Sequence, residues 1–287
     1  MNDLLLHPQT RRRLEAYIAA PSHALMLVGP DGSGKRTLAE NLTETVLGLG
    51  QGSFAAHPYV LLIAPEEPGK AIGIEAVRQL EKFLALKVPG KPKEHDRAVV
   101  LEDAHLLTRE AQNALLKMLE EPPAGTVLIL TVNHEQAVLP TIRSRAQAVP
   151  VDRLEKQVLE DHFGGKGFDK QAIARAYAIS AGLPGLMHAL LDESDHPLLE
   201  ATEKARQLLS QTAYERLAMA DVLAKDRALA MDVAVILQQM AHISLQTATG
   251  PAAKKWQSVL EAGYEAAGAL AANAQPKLAL TKLMLSL

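Results

Sequence analysis

The chain has 287 residues, of which 48% are hydrophobic, 22% charged and 3% aromatic, with a net charge of −3 and no cysteine. The absence of cysteine excludes disulfides, thiolate catalysis and cysteine-ligated zinc. This length is typical of two or three domains, and the small net charge argues against a protein that coats nucleic acid by bulk electrostatics. Because no apolar run approaches about 18 residues and the N-terminal sequence lacks a secretory pattern, we expect a cytoplasmic protein without a membrane span.

Short apolar runs alternate with amphipathic helical patterns over residues 1–150. The runs are mostly leucine or β-branched and lack the alternation of half-exposed strands, which is typical of buried parallel strands. They are Ala24–Val28, Tyr59–Ile63, Ala98–Leu101, Val127–Val132 and Ala146–Val151. Strands that alternate with helices indicate βαβ units, so this region is predicted to form an α/β domain with a parallel sheet.

Two of the intervening segments have clear helical patterns. Glu75–Leu86 repeats apolar residues at three- and four-residue steps. Thr108 can cap a second helix, which Pro122 and Pro123 end. The predicted inner face of that helix contains Ala111, Ala114, Leu115, Met118 and Leu119.

After Pro150 the strand-like runs stop, and the sequence becomes alanine- and leucine-rich helix. Glycine-rich segments at 164–167 and 182–185 divide a small helical domain, predicted over residues 151–195. Asp192–His196 reads as a hinge. A second, all-α domain is predicted over residues 196–287.

A glycine-rich loop, Gly29-Pro30-Asp31-Gly32-Ser33-Gly34-Lys35, follows the first strand and precedes a helix. This is the GxxxxGK part of a P-loop in its required setting. Gly29, Gly32 and Gly34 allow backbone N–H groups to turn toward an anion, and Lys35 supplies a charge for the outer phosphates. The alternative is a glycine-rich turn that binds nothing.

The residue after the lysine departs from the motif. A P-loop ATPase has Ser or Thr there, whose hydroxyl holds magnesium, but this chain has Arg36 and places Thr37 one residue late. A helix turns by about 100° per residue, so Thr37 points elsewhere. Nucleotide binding, with ATP as the candidate, stays open, whereas efficient magnesium-dependent hydrolysis is not expected.

Two carboxylates, Glu102 and Asp103, follow the third strand. In P-loop ATPases such a pair holds magnesium and polarises the attacking water, but in the order Asp-Glu. The reversal moves each carboxylate by about 1.5 Å, and a misplacement of about 1 Å can lower a rate a hundredfold. The alternative is a solvated acidic end of a strand.

Three segments resemble the clamp-loader subunits of the AAA+ family. They are AQNALLKMLEEPP at 111–123, LPTIRSR at 139–145 and NAQPKLAL at 273–280. The resemblance covers nearly the whole chain. It implies a RecA-like AAA+ domain, a small helical lid and a helical collar used for pentamer assembly.

The resemblance also assigns roles to single residues. It implies that Arg145 is an arginine finger for the ATP site of the next subunit; an ordinary surface arginine is the alternative, and Arg143 could take the role only in a shifted register. The family's first sensor maps to Thr131 or Asn133. The arginine of its second sensor has no counterpart in 182–190, and its four-cysteine zinc module has none in 47–57, so no zinc is expected.

These departures are similar to those of a bracing subunit of the bacterial DNA polymerase III clamp loader. The implied function is a largely non-hydrolysing subunit in a hetero-pentamer with ATPase subunits and a delta-like wrench subunit. The sliding clamp and primer–template DNA are the further implied partners. A catalytically active AAA+ ATPase stays open as the alternative, whereas a P-loop kinase does not explain the helical C-terminal region.

Overall fold

A computed structural model describes residues 4–67, 69–89, 95–192, 196 and 198–287 of the chain. The chain forms two compact units, Met1–Leu154 and Glu155–Leu287. The first boundary predicted from sequence, at residues 150/151, lies four residues before this division.

The first unit contains a five-stranded sheet. Its strands are β1 (Ala24–Val28), β2 (Val60–Ile63), β3 (Arg97–Leu101), β4 (Thr126–Val132) and β5 (Gln147–Pro150). They lie in the order β2-β3-β4-β1-β5, and every neighbouring pair is parallel. Each predicted apolar run overlaps one strand, so the predicted α/β fold with a RecA-like parallel sheet is confirmed.

Helices cover both faces of the sheet. They are α1 (Pro8–Ala19), α2 (Lys35–Leu47), α3 (Ile74–Leu84), α4 (Arg109–Glu120) and α5 (Pro140–Arg143). Along β1, Leu25 and Leu27 pack in one cluster with residues of α1 and α2, while Ala24 and Met26 pack in another with residues of α3, α4 and α5. Because successive side chains of a strand point to opposite faces, two buried faces require a continuous apolar strand.

The two predicted helices are present, with one shorter than expected. Thr108 caps α4, since its Oγ1 accepts a hydrogen bond from the Ala111 N–H at 3.2 Å. The other, α3, ends at Leu84 rather than at Leu86, which is 52% exposed and lies outside the apolar face.

The topology brings three loops to one edge of the sheet. The strands β3, β4 and β1 are neighbours, with Leu101 beside Leu130 and Val28 beside Val132. Because parallel strands end at the same edge, the segments after these strands lie side by side. Those segments carry the P-loop, the acidic pair and Asn133.

The second unit is helical wherever it has regular structure in the described residues. Its helices are α6 (Lys156–Gly165), α7 (Lys170–Ser180), α8 (Pro184–Asp192), α9 (Leu199–Ser210), α10 (Ala213–Leu223), α11 (Arg227–Leu245), α12 (Gly250–Ala271) and α13 (Pro276–Ser286). The glycine-rich segments at 164–167 and 182–185 mark helix ends, as predicted. Residues 193–195 of the predicted hinge lie outside the described residues.

One hydrophobic cluster runs through this unit. It includes Leu183 and Leu186 together with residues of α9 to α13, such as Leu237 and Leu280. Among the described helices, α11 alone is long and apolar enough to cross a membrane, but Val233, Leu237 and other residues of it are buried in this cluster.

Candidate functional site

The P-loop connects β1 to α2 in the conformation that its glycines permit. Gly32 and Gly34 have φ angles of +81° and +83°, which side-chain-bearing residues rarely adopt. The Gly29 N–H donates to the Val132 carbonyl at 3.0 Å, so the start of the loop, directly after β1, lies beside the end of β4. The sequence therefore predicted the loop and its setting correctly.

Lys35 is turned back onto its own loop. Its side chain is 6% exposed, and Nζ donates to the carbonyl oxygens of Gly29 at 2.5 Å and Pro30 at 3.0 Å. Nζ also donates to Asn133 Oδ1 at 3.1 Å and lies 3.5 Å from Asp31 Oδ1. An ammonium has three donors, so these contacts engage it fully. A phosphate at this loop would have to replace them.

Burial lowers the pKa of Lys35, and the charges of Asp31 and Asp103 act in the opposite direction. Asn133 completes this arrangement, because its Nδ2 donates to Asp31 Oδ2 at 2.8 Å. Asp31 occupies a position where the P-loop motif accepts any residue, so the motif gives no signal for these contacts.

Arg36 joins the P-loop helix to the acidic pair. Its Nε donates to Glu40 Oε1 at 2.7 Å, and its Nη1 donates to Glu102 Oε2. Burial disfavours the charged form of Arg36, but the hydrogen bonds and charges of Glu40 and Glu102 outweigh it and raise the pKa of Arg36. The guanidinium is thus the counter-ion of Glu102.

Magnesium does not fit this donor set. The metal needs a hydroxyl after the P-loop lysine and a carboxylate with free oxygens, whereas Arg36 replaces the first and engages the second. Thr37 does not compensate, because it is exposed and lines a shallow cleft with Leu4, Asn41 and Glu44. Of the nucleotide-site residues predicted from sequence, Thr37 is therefore the one outside the cluster.

Asp103 lies at the centre of the cluster in a left-handed conformation, with φ +50°. Burial, followed by the charge of Asp31, raises the pKa of Asp103 from 3.8 to about 6; Lys35 and Arg36 act in the opposite direction. Its backbone N–H donates to Thr131 Oγ1 at 2.9 Å. The two sensor candidates thus have different contacts: Thr131 accepts from the Asp103 N–H, and Asn133 accepts from Lys35 Nζ.

Arg145 lies between α5 and β5, away from this cluster in sequence. Its Nη2 forms an ion pair with Glu120 Oε1 at 2.7 Å, and its Nη1 donates to Thr141 O and Ser144 Oγ, each at 3.1 Å. The side chain is 35% exposed. Arg143 differs, because its Nε is buried without a hydrogen-bond partner among the described residues.

A buried glutamine connects α4 to the segment that carries Arg145. Gln112 Nε2 donates to the Leu107 carbonyl at 3.1 Å, and its Oε1 accepts from the Leu139 N–H at 2.8 Å. Neither Gln112 nor Glu120 was singled out from the sequence. Elsewhere, the described residues contain no group of three or more histidine, aspartate or glutamate side chains arranged to hold a metal ion.

Comparison with known proteins gives a family and several relatives. A family model described as "DNA polymerase III, delta subunit" matches residues 7–155, a little over half of the chain. The chain is 36% identical over 151 residues to the DNA polymerase III subunit delta' of Pseudomonas aeruginosa, covering 46% of this chain and 44% of the relative. It is 30% identical over 209 residues to the subunit delta' of Escherichia coli, covering 64% and 59%. The chain thus spans about half the length of these curated relatives.

Solved structures are similar at lower identity. A DNA polymerase III gamma subunit-related protein of Thermotoga maritima aligns over 96% of this chain and 97% of its own, with 20% identity and a TM-score of 0.45. The RuvB branch migration motor of the same organism aligns over 93% and 82%, with 14% identity and a TM-score of 0.48. At these scores the fold assignment rests on the strand order and the P-loop of the chain itself.

Proposed function

The chain belongs to the DNA polymerase III delta-prime family, and we propose that it is a clamp-loader subunit of the bacterial replicative polymerase. In this proposal it braces an ATPase neighbour, hydrolyses little or no ATP itself, and supplies Arg145 to the neighbour's ATP site. The ATPase subunits, a delta-like wrench subunit, the sliding clamp and primer–template DNA are its proposed partners, and the cytoplasm its proposed location.

The observation that carries the non-hydrolysing role is the ion pair between Arg36 and Glu102. It gives the carboxylate a fixed cation from the chain itself, at the place where an active P-loop ATPase uses magnesium. The full engagement of Lys35 by its own loop supports the same conclusion. In an active P-loop ATPase the lysine and the magnesium ion both contact phosphate oxygens. Here Lys35 and the Arg36 guanidinium contact oxygens of the protein instead.

The role of Arg145 is supported by its position and its accessible guanidinium. It follows a short helix on the surface of the first unit, and its side chain is 35% exposed. A guanidinium supplied in trans stabilises the charge of a transferring phosphoryl group by a factor of about 10³–10⁵ in rate. The buried Nε of Arg143 favours Arg145 over Arg143 for this contact.

Assembly through the second unit is supported by its exposed apolar side chains. Large apolar residues with at least half of their surface exposed occur on α10, α12 and α13: Tyr214, Val222, Tyr264, Leu278 and Leu285. Exposed apolar groups of this kind favour protein–protein contact. We propose that this part of the chain is the collar of the hetero-pentamer.

An active ATPase is the second candidate, because Lys35, Asp103 and Asn133 converge at the strand ends as they do in an active site. Steady-state hydrolysis separates the two. We expect the isolated chain to turn over ATP well below about 1 s⁻¹, a rate typical of a competent enzyme. Turnover above that value would contradict the bracing role.

The proposed contact of Arg145 with a neighbouring ATP site can be tested only in the reconstituted complex. Arg145→Ala should leave folding and assembly unchanged and lower the ATPase activity stimulated by DNA and clamp, since the site that this chain faces loses its arginine. Arg143→Ala is the control at a neighbouring arginine and should have the milder effect. Full activity of the Arg145→Ala complex would show that Arg145 is an ordinary surface residue.

A further inference from the structure

The guanidinium of Arg145 is fixed in the isolated chain by three contacts. The contact with Glu120 joins the last residue of α4 to the segment after α5, at 2.7 Å from Oε1 to Nη2. The other two bind Nη1 to Thr141 O and Ser144 Oγ, within the same short segment as Arg145. Glu120 is therefore the anchor that lies outside that segment.

The end of α4 favours a cation at this place. The C-terminal end of a helix has a partial negative charge from its unpaired carbonyl groups. The carboxylates of Glu120 and Glu121 add to this negative charge, and Arg145 forms an ion pair with Glu120 at this helix end. The electrostatic attraction therefore restricts the guanidinium to one region of the surface.

These contacts leave part of the guanidinium available. Arginine has five N–H donors, and the three contacts account for three of them. Two donors remain for an oxyanion, so the pair with Glu120 and a contact with a phosphate oxygen are compatible. A free arginine loses rotamer entropy when it binds, and an arginine that is already held loses less.

We infer that Glu120 is a positioning residue for Arg145: it holds the guanidinium in the pose in which it contacts the phosphoryl group at a neighbouring ATP site. The inference rests on the proposed function of Arg145 as a finger in trans. It assigns to the first glutamate of the LEEPP segment a role in the neighbour's rate of hydrolysis, and none in the binding of the neighbour's ATP.

Glu120→Gln and Glu121→Gln form a matched pair for the test. Both remove one negative charge from the same helix end, but the structure places only Glu120 against Arg145 among the described residues. The measurement is ATPase activity of the reconstituted complex with DNA and clamp, analysed as kcat and KM for ATP. We expect Glu120→Gln to lower kcat about 3- to 10-fold at unchanged KM, because small misplacements of a catalytic group reduce rates strongly. Glu121→Gln should stay within about twofold of the wild type, as expected of an exposed charge.

A double variant separates positioning from a general structural effect. If Glu120 acts through Arg145, Glu120→Gln should add nothing to the loss caused by Arg145→Ala. Additive losses, a loss of assembly, equal effects of the two glutamate variants, or an increase in kcat for Glu120→Gln would each overturn the inference. If Glu120→Gln has normal activity and Arg145→Ala is impaired, the inference about Glu120 is wrong but the proposed function of Arg145 stands. If Arg145→Ala has full activity, the proposed function and the inference are both wrong.

Discussion

Replacing Arg36 tests the substitution of a guanidinium for magnesium directly. Arg36→Ala removes the ion pairs with Glu102 and Glu40 and leaves Glu102, whose side chain is 20% exposed, without its cation. The Arg36 side chain is 46% exposed, so solvent screens the pair and its contribution to the free energy of unfolding is about 1 kcal/mol. We expect a fall in melting temperature of about 2–4 °C, measured by differential scanning fluorimetry or calorimetry.

Arg36→Ser extends this test to the metal. It breaks the same ion pairs and so should destabilise the protein as Arg36→Ala does, but it also places a hydroxyl directly after Lys35. With that hydroxyl and a free Glu102 carboxylate, the donor set approaches the one that magnesium requires. ADP with magnesium should then stabilise Arg36→Ser more than ADP with EDTA does. A ligand at 100 times its dissociation constant stabilises by about 2.7 kcal/mol, which a thermal shift detects easily.

The controls determine how the result is interpreted. Arg36→Ala lacks both the ion pair and the hydroxyl, and the wild type has the guanidinium, so neither should respond to magnesium. An equal magnesium-dependent shift in all three proteins would refute the reasoning, because it would mean that Arg36 does not occupy the metal's place. If Arg36→Ala were as stable as the wild type, the expected contribution of about 1 kcal/mol would be wrong, but the place of Arg36 would be decided by the response to magnesium.

Two further predictions concern pH and the helical unit. The raised pKa of Asp103 means that the folded protein binds this proton more tightly than the unfolded one, so stability should fall as pH rises from about 4 to about 6. Raising the pKa of Asp103 from 3.8 to about 6 costs up to about 3 kcal/mol of stability at neutral pH. Asp103→Asn should therefore be more stable than the wild type at pH 7.5 by about 1–2 kcal/mol in urea unfolding, with a smaller gain at pH 4.5. An equal gain at both pH values would contradict this origin. In the second unit, Arg227 donates to the carbonyl oxygens of Leu270 at 2.6 Å and Ala274 at 2.8 Å. Arg227→Ala should cost about 1–3 kcal/mol because it removes two hydrogen bonds from a charged donor, although the Leu270 carbonyl keeps the bond from the Asn273 N–H at 3.1 Å. Arg206→Ala, at an exposed arginine of α9, should change the unfolding midpoint little.

The sheet could be predicted from the sequence because its strands are buried on both faces. A strand of this kind needs an uninterrupted apolar run, and the predicted runs match the observed strands to within one or two residues. Ala24–Val28 matches β1 at both ends, and Val127–Val132 misses only Thr126 of β4. The family predicted from the segments at 111–123 and 139–145 is confirmed by the match to the family model.

The contacts within the site could not be predicted in the same way. Arg36 and Glu102 are 66 positions apart, and Asp31 and Asn133 are 102 apart. The motif spacing indicates which loops meet, but which cation pairs with which oxygen depends on the register of β1, β3 and β4 and on side-chain rotamers. The pattern therefore predicts only that magnesium-dependent hydrolysis is inefficient, whereas the structure shows which residues pair: the Arg36 guanidinium contacts Glu102.

Glu120 and Gln112 were missed for a related reason. Both lie on α4, whose amphipathic pattern predicts a buried apolar face and an exposed polar one. Gln112 is buried because its two hydrogen bonds reach Leu107 and Leu139, and Glu120 has its partner, Arg145, beyond α5. A single helix carries no signal for contacts that depend on how a second helix packs against it.

The division of the helical region stays a prediction, and the packing bears on it. The sequence predicts a lid over 151–195 and a collar over 196–287. In the structure Leu183 and Leu186, within the predicted lid, share a hydrophobic cluster with residues of α11 and α13 such as Leu237 and Met284. Independent motion of the two predicted domains would separate some of these apolar contacts. Such motion would expose buried apolar area and so cost free energy.

The internal contacts of the P-loop give it a structural use that needs no ligand. Lys35 connects the loop after β1 to Asn133 after β4, and Arg36 connects α2 to Glu102 after β3. In an active ATPase, the nucleotide and its magnesium ion make such links between strand ends, and the links change when hydrolysis occurs. Here both links are made by side chains of the chain itself, so they form without a nucleotide. For the proposed bracing role, links that form without a nucleotide would favour a constant position of Arg145 during a neighbour's cycle.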